Sequence, residues 1–357
     1  MNILHCITSL DTGGAEKTLV NLVNRSKYKH LILTIKNSHK LKKFLNDEVK
    51  VINIFPISIR RMIRLFIDIK KFDPNIIQGW MYHGDFIASF IGLIFFKPIF
   101  WNIRHGKMSL LHTSKKTFIL RFILSIISYL LPNKIISCSN YGAYIHKKIG
   151  YCKKKFYVIH NGIFLESGIL KNYDNLKNRK VIRIASIGRD SPQKNRKYFF
   201  KILDSISKYR KVEGIIIGRG VPDSKVFRKI KNEKEYSVLL KDSTADIEKA
   251  FENIDILLLT SVYGEGCPNI IIEAMKSSLL VISTDVGDSK YLINNERLII
   301  PKNNSLNSSL KILDILNSQD LKNVVNSCKK RADFLFDENK MVKKYENLWS
   351  KVFFKTI

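Results

Sequence analysis

The sequence predicts an α/β protein built from two doubly wound parallel sheets, and three observations lead to this prediction. Short apolar runs rich in β-branched residues recur along the chain, separated by segments of helical length. The runs are apolar throughout instead of alternating, which is typical of parallel strands covered on both faces. The chain has 357 residues and is 45% hydrophobic, which is enough for two cores of ordinary domain size.

The apolar runs form two series. The first half contains NILHCIT, HLILTI, VKVINIF, NIIQGW, PIFWNIR and KIISCS, and the second contains VIRIASIG, EGIIIG, YSVLL, DILLLT, LLVIST and RLIIP. Apolar residues at helical spacing after residue 337 predict a terminal helix. We therefore expect an N-terminal domain over 1–165, a polar linker over 166–180, a C-terminal domain over 181–338 and a helix over 339–357 that can pack back on the N-terminal domain.

The cysteines and the N-terminus point to a cytoplasmic protein. Five cysteines are scattered without C-x-x-C spacing, so neither a disulfide framework nor a zinc site is expected. The opening MNILHCITSL lacks a charged region followed by a long apolar region, so it is interpreted as a first strand and not as a signal peptide.

The net charge of +30 favours anionic partners such as nucleic acid, anionic lipid or phosphorylated substrates, although solvated surface lysine would give the same number. No nucleic-acid-binding module is recognisable, so we expect no nucleic acid partner. Two apolar stretches, 86–96 and 118–131, are shorter than the roughly 18 residues that span a bilayer. Either a buried helix or a helix lying on an anionic membrane fits the second stretch, which follows Lys115 and Lys116.

Two loops after predicted strands contain groups suited to phosphate. In LDTGGAEK, Gly13 and Gly14 allow a close backbone approach, and free amides at the helix start favour an anion, although a tight connection would look the same. The third glycine of a dinucleotide fingerprint is missing, which counts against an oxidoreductase. In GRDSPQKN, Arg189 and Lys194 could neutralise a diphosphate, although each could also be an exposed charge. The sequence has no Asp-x-Asp and no His/Cys cluster, so no metal cofactor is expected.

The segment GEGCPNIIIEAM follows a buried strand and is the strongest local signal. Glu265 stands in a glycine-bracketed loop, and Pro268 is expected at the first position of a helix that contains Glu273. Each carboxylate alone could be a helix-dipole partner or a surface residue. Both carboxylates occur in one segment whose loop is G-E-G-C-P, which makes those two interpretations unlikely together.

The motif G-E-G-x-P-N-x-x-x-E-A-M followed by TDVGD resembles the donor site of glycosyltransferase family 4, whose members are retaining enzymes of GT-B fold. GGAEK, NIRHG, HNG at 160–162 and GRDSPQKN occur in the family's order, so the resemblance extends over most of the chain. It implies two Rossmann-like domains facing each other across a cleft. Cys267 departs from the pattern, because an aromatic residue such as Phe is more usual there.

The resemblance also implies roles. Arg189 and Lys194 would bind the donor diphosphate, Glu273 the ribose hydroxyls, and Glu265 would face the transferred sugar. His105 corresponds to the histidine beside the sugar, so Glu265 and His105 are the catalytic candidates, and His83 is an acceptor-side candidate that could equally be structural. The implied donor-binding set is Gly13, Gly14, Arg189, Lys194, Gly266, Cys267, Pro268, Asn269 and Glu273.

The expected function is transfer of a sugar from a UDP- or GDP-sugar to a glycan or lipid-linked acceptor, in surface polysaccharide or lipopolysaccharide assembly, without a cofactor. The expected location is the cytoplasm, including the inner face of the cytoplasmic membrane. Two alternatives stay open. A UDP-sugar 2-epimerase has the same architecture and needs no acceptor, and a non-catalytic basic membrane-binding protein would make Glu265 and Glu273 dispensable.

Overall fold

A computed structural model describes residues 1–108, 113–165, 173, 176, 179–244 and 246–356. The chain divides into two compact units. Unit 1 comprises Met1–Gly162 together with Asp337–Ile357, and unit 2 comprises Ile163–Phe336. The predicted linker, residues 166–180, lies mostly outside the described residues and stays a prediction.

Unit 1 contains a parallel sheet of seven strands in its described part. The strand order is β3-β2-β1-β4-β5-β6-β7, so the order reverses direction between β1 and β4. The strands are β1 Asn2–Ile7, β2 Lys29–Thr34, β3 Lys50–Asn53, β4 Ile76–Gly79, β5 Ile99–Ile103, β6 Lys134–Ser137 and β7 Phe156–Val158.

The helices of unit 1 cover both faces of this sheet. They are α1 Gly14–Arg25, α2 Ile59–Phe72, α3 Met81–Phe95, α4 Lys115–Ile127, α5 Asn140–Lys148 and, from the chain end, α13 Glu338–Thr356. On one face, α1 and α13 share a core with β1, in which Tyr345 and Trp349 are fully buried. On the other face, Leu65 and Ile69 of α2 pack with Ala88 of α3.

Unit 2 contains a parallel sheet of six strands among the residues described, in the order β10-β9-β8-β11-β12-β13. Its order reverses between β8 and β11. The strands are β8 Ile182–Ile187, β9 Val212–Ile217, β10 Ser237–Lys241, β11 Ile256–Leu259, β12 Leu280–Thr284 and β13 Ile299–Ile300. The helices are α6 Arg196–Ser207, α7 Lys225–Glu233, α8 Ile247–Glu252, α9 Asn269–Lys276, α10 Ser289–Ile293, α11 Ser305–Asn317 and α12 Leu321–Leu335.

The predicted α/β class with two Rossmann-like parallel-sheet units is confirmed. All twelve predicted apolar runs contain a strand, and the three-residue strand β7 was not predicted. Within the stretch 118–131, helix α4 buries Leu124 and Ser125, whereas Ile119, Phe122, Ile123 and Ile126 are exposed. The alternative of a helix buried on all sides is therefore wrong. Within the part of the chain that the structure describes, no helix is both long and apolar enough to cross a membrane.

Candidate functional site

The predicted site residues follow strands at the reversal points of the two sheets. In open parallel sheets, ligands bind outside the carboxyl ends of the strands at such points. Each unit therefore has one favoured position, after β1 and β4 in unit 1 and after β8 and β11 in unit 2. The residues that follow these strands are Gly13 and Gly14 after β1, His83 after β4, Arg189 and Lys194 after β8, and Glu265 to Asn269 after β11.

An ion pair links the two loops of unit 2. Lys194 Nζ lies 2.8 Å from Glu265 Oε1, although the two residues are 71 positions apart in the sequence. Both side chains are largely buried. Ser261 Oγ donates to the same carboxylate oxygen at 2.9 Å. The pair stands at the carboxyl ends of β8 and β11, which is where the sequence predicted phosphate and sugar contacts.

The electrostatic surroundings keep Glu265 ionised. Burial is the largest single influence and opposes ionisation, but the positive charge of Lys194 and hydrogen bonds from Lys194, Ser261 and Gln193 outweigh it. The pKa of Glu265 therefore lies below its ordinary value. At neutral pH this side chain is an acceptor of hydrogen bonds and a centre of negative charge.

Backbone contacts fix the position of Lys194. It ends a short 3-10 turn, Pro192–Lys194, that follows β8. Thr260 Oγ1, at the end of β11, donates to the Lys194 carbonyl at 2.9 Å, and the Val262 amide donates to the Gln193 carbonyl at 3.1 Å. The main-chain carbonyls of Gln193 and Lys194 thus join the β8 loop to the β11 loop independently of the ion pair.

Glycine is required at two turns of the site, Gly188 after β8 and Gly287 after β12. Gly188 has φ +137°, and a Cβ atom there would lie 2.7 Å from Lys194 Cε. Gly287 has φ +58°, and a Cβ atom there would lie 2.6 Å from the carbonyl oxygens of Glu265 and Gly266. Only glycine allows both the left-handed conformation and the close approach. The TDVGD segment after β12 therefore packs directly against the GEGCP loop.

Helix α9 begins one residue later than predicted. Pro268 was expected at the first helical position, but its ψ of 102° is extended, so it is the N-cap and the helix begins at Asn269. Proline has no N–H group to donate in either position. Cys267 and Glu273 are both buried, so Glu273 is not an ordinary surface glutamate.

The two arginines near β8 differ in their surroundings. Arg189 is exposed, as a residue that reaches toward a ligand could be. Arg196, which the sequence did not single out, is buried at the start of α6. Its Nη2 donates to the Gly188 carbonyl at 2.9 Å, whereas Nε and Nη1 make no hydrogen bond within the described residues. Burial lowers the Arg196 pKa to about 10, although the negative charge of Asp190 acts in the opposite direction. Arg196 therefore keeps its positive charge at neutral pH, directly beneath the loop.

In unit 1, the predicted residues lie along the carboxyl edge of the sheet. Gly13 is the N-cap of α1, with an extended φ of −157° that any residue can adopt. The first turn of α1 already contains Glu16, and a Cβ atom on Gly13 would lie 2.2 Å from its carboxylate. An anion bound at this terminus would therefore require the flexible Glu16 side chain to move away.

The two predicted site histidines of unit 1, His83 and His105, differ in their surroundings. His83 lies on the first turn of α3 with its side chain partly open to solvent, and partial burial followed by the positive charge of Lys36 lowers its pKa. His105 follows β5, and its ring stacks on Tyr82 with centroids 6.1 Å apart. The Tyr82 hydroxyl is 2.7 Å from Nε2 of buried His146, whose Nδ1 is 2.7 Å from the Gly142 carbonyl. Because the Nδ1 proton donates to that carbonyl, Nε2 accepts from Tyr82, and this network fixes the ring on which His105 rests.

Groups of three or more His, Cys, Asp or Glu side chains able to hold a metal ion do not occur among the described residues. The charged groups in and beneath the β8 and β11 loops include Arg189, Asp190, Lys194, Arg196 and Glu265.

Comparisons with known proteins concern part of unit 2 and the fold of the chain. Residues 181–318 match the family model described as Glycosyl transferases group 1. This stretch includes the Lys194–Glu265 pair and Glu273. No curated protein matches the sequence significantly.

Several solved structures share the fold over almost the whole chain. The structure of Anabaena HepE in complex with UDP-glucose has a TM-score of 0.80 at 17% identity, and the match covers 98% of this chain and 100% of that one. The complex of HepE with UDP has a TM-score of 0.79. The lipopolysaccharide outer core galactosyltransferase WaaB has a TM-score of 0.70 at 18% identity, with coverage of 98% and 100%. A mutant of S. aureus TarM, solved with fondaparinux, alpha-GlcNAc-glycerol and UDP, has a TM-score of 0.70 at 13% identity, with coverage of 98% and 99%. At these identities the likeness shows the α/β GT-B fold.

Proposed function

We propose that the protein is a retaining glycosyltransferase of family 4. It would transfer a hexose-type sugar from a UDP- or GDP-sugar to a glycan or lipid-linked acceptor, without a metal, at the inner face of the cytoplasmic membrane. The observation that carries the proposal is the buried Lys194–Glu265 pair at the reversal point of the unit 2 sheet, inside the stretch that matches the glycosyltransferase model.

The cations of the β8 loop suit a leaving diphosphate. Lys194 is a compact charge held in place by the main chain, and Arg189 is an exposed planar fork that can bind two phosphate oxygens. Arg196 adds a buried positive charge beneath them. Stabilising the departing diphosphate is the main requirement of this reaction, because negative charge develops there as the anomeric bond breaks.

The ionised state of Glu265 restricts its role. A carboxylate with a lowered pKa is a poor proton donor at neutral pH, but it can stabilise the positive charge of an oxocarbenium-like transition state. In the proposed reaction, the bond between the anomeric carbon and the diphosphate oxygen breaks while the acceptor oxygen bonds to the same face of that carbon. The acceptor proton passes to the departing phosphate oxygen, so no enzyme base is needed.

The remaining assignments follow the family resemblance. Glu273 would accept hydrogen bonds from the ribose hydroxyls, and the backbone around Gly266 and Asn269 would contact the donor. His105 would contact the sugar, and His83 the acceptor. UDP-glucose in HepE and the lipopolysaccharide substrate class of WaaB support a UDP-sugar donor and a surface-glycan acceptor.

Thermal stabilisation by nucleotide sugars tests the donor site. Wild-type protein is heated with UDP-, GDP- and CMP-sugars, and one of them is expected to raise the melting temperature. Arg189→Ala, Lys194→Ala and Glu273→Ala are expected to reduce the shift, and Lys197→Ala is the matched control, because Lys197 is exposed three residues after Lys194. No shift with any nucleotide sugar, or equal shifts in all variants, would contradict the proposal.

Product analysis separates a transferase from an epimerase. A transferase releases free nucleotide only when an acceptor is present, and a retaining one gives a product with the donor's anomeric configuration, which the anomeric proton coupling in NMR reports. A 2-epimerase instead converts the UDP-sugar into a second UDP-sugar without acceptor. Detection of that second nucleotide sugar would overturn the transferase assignment.

A further inference from the structure

Helix α2 exposes a row of large apolar side chains. Only Leu65 and Ile69 are buried in this helix, and they face the sheet. A second apolar row recurs at three- and four-residue spacing on a different side of the helix and faces solvent. It consists of Ile59, Met62, Ile63, Phe66 and Ile67. The helix is therefore apolar on two sides, of which the fold covers one.

Helices α3 and α4 have the same property. The exposed row of α3 contains no charged residue and consists of Phe86, Phe90, Leu93 and Ile94, with Phe96 at the helix end. The exposed row of α4 continues into the following turn and consists of Ile119, Phe122, Ile123, Ile126 and Leu130. Single exposed apolar residues are ordinary on protein surfaces, but rows on three successive helices are not.

The three rows lie on one face of the sheet. Crossovers β3–α2–β4, β4–α3–β5 and β5–α4–β6 all advance in the same direction along the strand order, and right-handed connections then place their helices on the same side. The rings of Phe66 and Phe95 are 4.8 Å apart and join α2 to α3, and α3 packs against α4. We call the exposed rows of α2, α3 and α4 the apolar helix face.

Basic side chains border the apolar helix face. Arg60, Arg64 and Lys71 are exposed on the third side of α2, and Lys115 and Lys116 are exposed at the start of α4. Acidic groups are scarce in the three helices. Asp68 lies 3.4 Å from Lys50 in an ion pair, Asp85 is buried, and α4 has neither Asp nor Glu.

We propose that the apolar helix face binds the surface of an anionic lipid bilayer. Its apolar side chains would enter the boundary between headgroups and acyl chains, and the bordering Arg and Lys would contact lipid phosphates. Charge decides against a second copy of this chain as the occupant, because two such basic rims in a chain of net charge +30 would repel each other. The inference rests on the proposed function in one respect only: a lipid-linked acceptor would lie in the same bilayer.

Vesicle cosedimentation tests this inference on the full chain. Wild-type protein is expected to sediment with phosphatidylglycerol/phosphatidylcholine vesicles, and to bind pure phosphatidylcholine vesicles at least about tenfold more weakly. The variant I63S/F90S/F122S removes one exposed side chain from each helix and is expected to lower the partition coefficient at least about tenfold. The variant R60Q/R64Q/K71Q is expected to lower binding to anionic vesicles and to reduce its salt dependence.

Matched controls come from unit 2. The variant V226S/L306S/F334S removes three apolar side chains of similar exposure, and K225Q/K231Q/K249Q removes three exposed lysines. Both are expected to bind vesicles like the wild type. If the unit 1 variants bind like the wild type, or if folded wild-type protein does not sediment or instead forms dimers at the same concentration, the inference is wrong.

Melting temperature shifts with nucleotide sugars, measured on the same variants, separate this inference from the proposed function. Nucleotide-induced stabilisation is expected to persist in both unit 1 variants. If a variant no longer binds vesicles but is still stabilised by the nucleotide sugar, the substituted residues act in membrane binding alone. If the protein binds vesicles but no nucleotide sugar raises its melting temperature, only the transferase proposal is contradicted.

Discussion

Units 1 and 2 have the same doubly wound topology but differ in what they bury and expose. All eight histidines and all three tryptophans of the chain fall in residues assigned to unit 1, and unit 2 has neither residue type. Unit 1 also carries the apolar helix face, whereas the large exposed apolar residues described in unit 2 are scattered among four helices and the segments between elements. Unit 2 instead contains the buried Lys194–Glu265 pair. A shared topology therefore fixes where ligands can bind, while the side chains decide which chemistry each unit performs.

The core of unit 1 is unusual in holding polar rings. His5 Nε2 lies 3.0 Å from His30 Nδ1, and Trp80 Nε1 donates to His5 Nδ1 at 3.1 Å. Because Trp80 can only donate, Nδ1 of His5 is unprotonated, and its Nε2 proton donates to His30. The chain end completes this cluster, since Trp349 packs on both histidine rings. Acid and truncation are therefore expected to affect the two units differently.

The largest expected effect is on unit 1, through the terminal helix. Trp349→Ala removes a fully buried side chain that also donates to Gln78 at 2.7 Å, so we expect a loss of about 3–5 kcal/mol in the free energy of unfolding. Urea unfolding followed by the fluorescence of the remaining tryptophans, both in unit 1, measures it. Phe354→Ala, at an exposed position of the same helix, is expected to change the free energy by less than about 0.5 kcal/mol. Equal losses would show that α13 is not part of the unit 1 core.

The second effect concerns unit 2. Lys194→Ala leaves the Glu265 carboxylate buried without its cation, so we expect a loss of about 3 kcal/mol and a rise in the Glu265 pKa. Hydrogen exchange of peptides from β8 and β11 reports on unit 2, and peptides from β1 and β4 should be unchanged. In the Glu265→Gln background, Lys194→Ala is expected to lower the free energy of unfolding by clearly less, because no buried negative charge is left unpaired. A full loss there would show that the charge of Glu265 is not the cause.

The third effect is a loss of stability of unit 1 between pH 7 and pH 5. Burial lowers the pKa of His146 to about 4 and that of His5 well below its ordinary value, so both are neutral in the fold. The unfolded chain takes up protons below pH 6.5 and the folded unit does not, so stability is lost as pH falls through that value. Protonation of His146 in the unfolded chain is alone expected to lower the free energy of unfolding by about 2 kcal/mol between pH 7 and pH 5. Tryptophan fluorescence during urea unfolding at both pH values measures it, and an unchanged midpoint would contradict the buried neutral state.

The smallest effect is one in which the units should agree. Ser58 caps α2 in unit 1 by accepting from the Arg61 amide at 3.2 Å, and Asp246 caps α8 in unit 2 by accepting from the Lys249 amide at 3.0 Å. Alanine at either position is expected to cost about 1 kcal/mol. Hydrogen exchange at the first turn of each helix checks this, and a several-fold difference between the two losses would mean that capping also depends on the unit.

The sequence determined the strands, the class of fold and the motif loops, because these are local properties. A continuous apolar run can be recognised as a strand without knowing which segments pack beside it. Glycines and a proline after such a run indicate a turn in any fold. Strand β7 was missed because three residues, Phe156–Val158, are too few to establish a pattern. Glu265 and Lys194 were both found as candidates, but their contact was not, since it joins loops 71 residues apart.

Tertiary structure alone decided which faces are buried. The pattern of α2 shows apolar residues on two sides, and only packing against the sheet establishes that Leu65 and Ile69 face inward and that Ile63 does not. Likewise Arg196 is one of many basic residues in the sequence, and its burial beneath the Gly188 carbonyl depends on the turn that precedes α6. Burial and ion pairing arise from contacts between segments that are distant in the sequence. Residue type and spacing were therefore enough to predict which residues form the site. Only the fold could establish the pairing of its charges and the exposed surface around it.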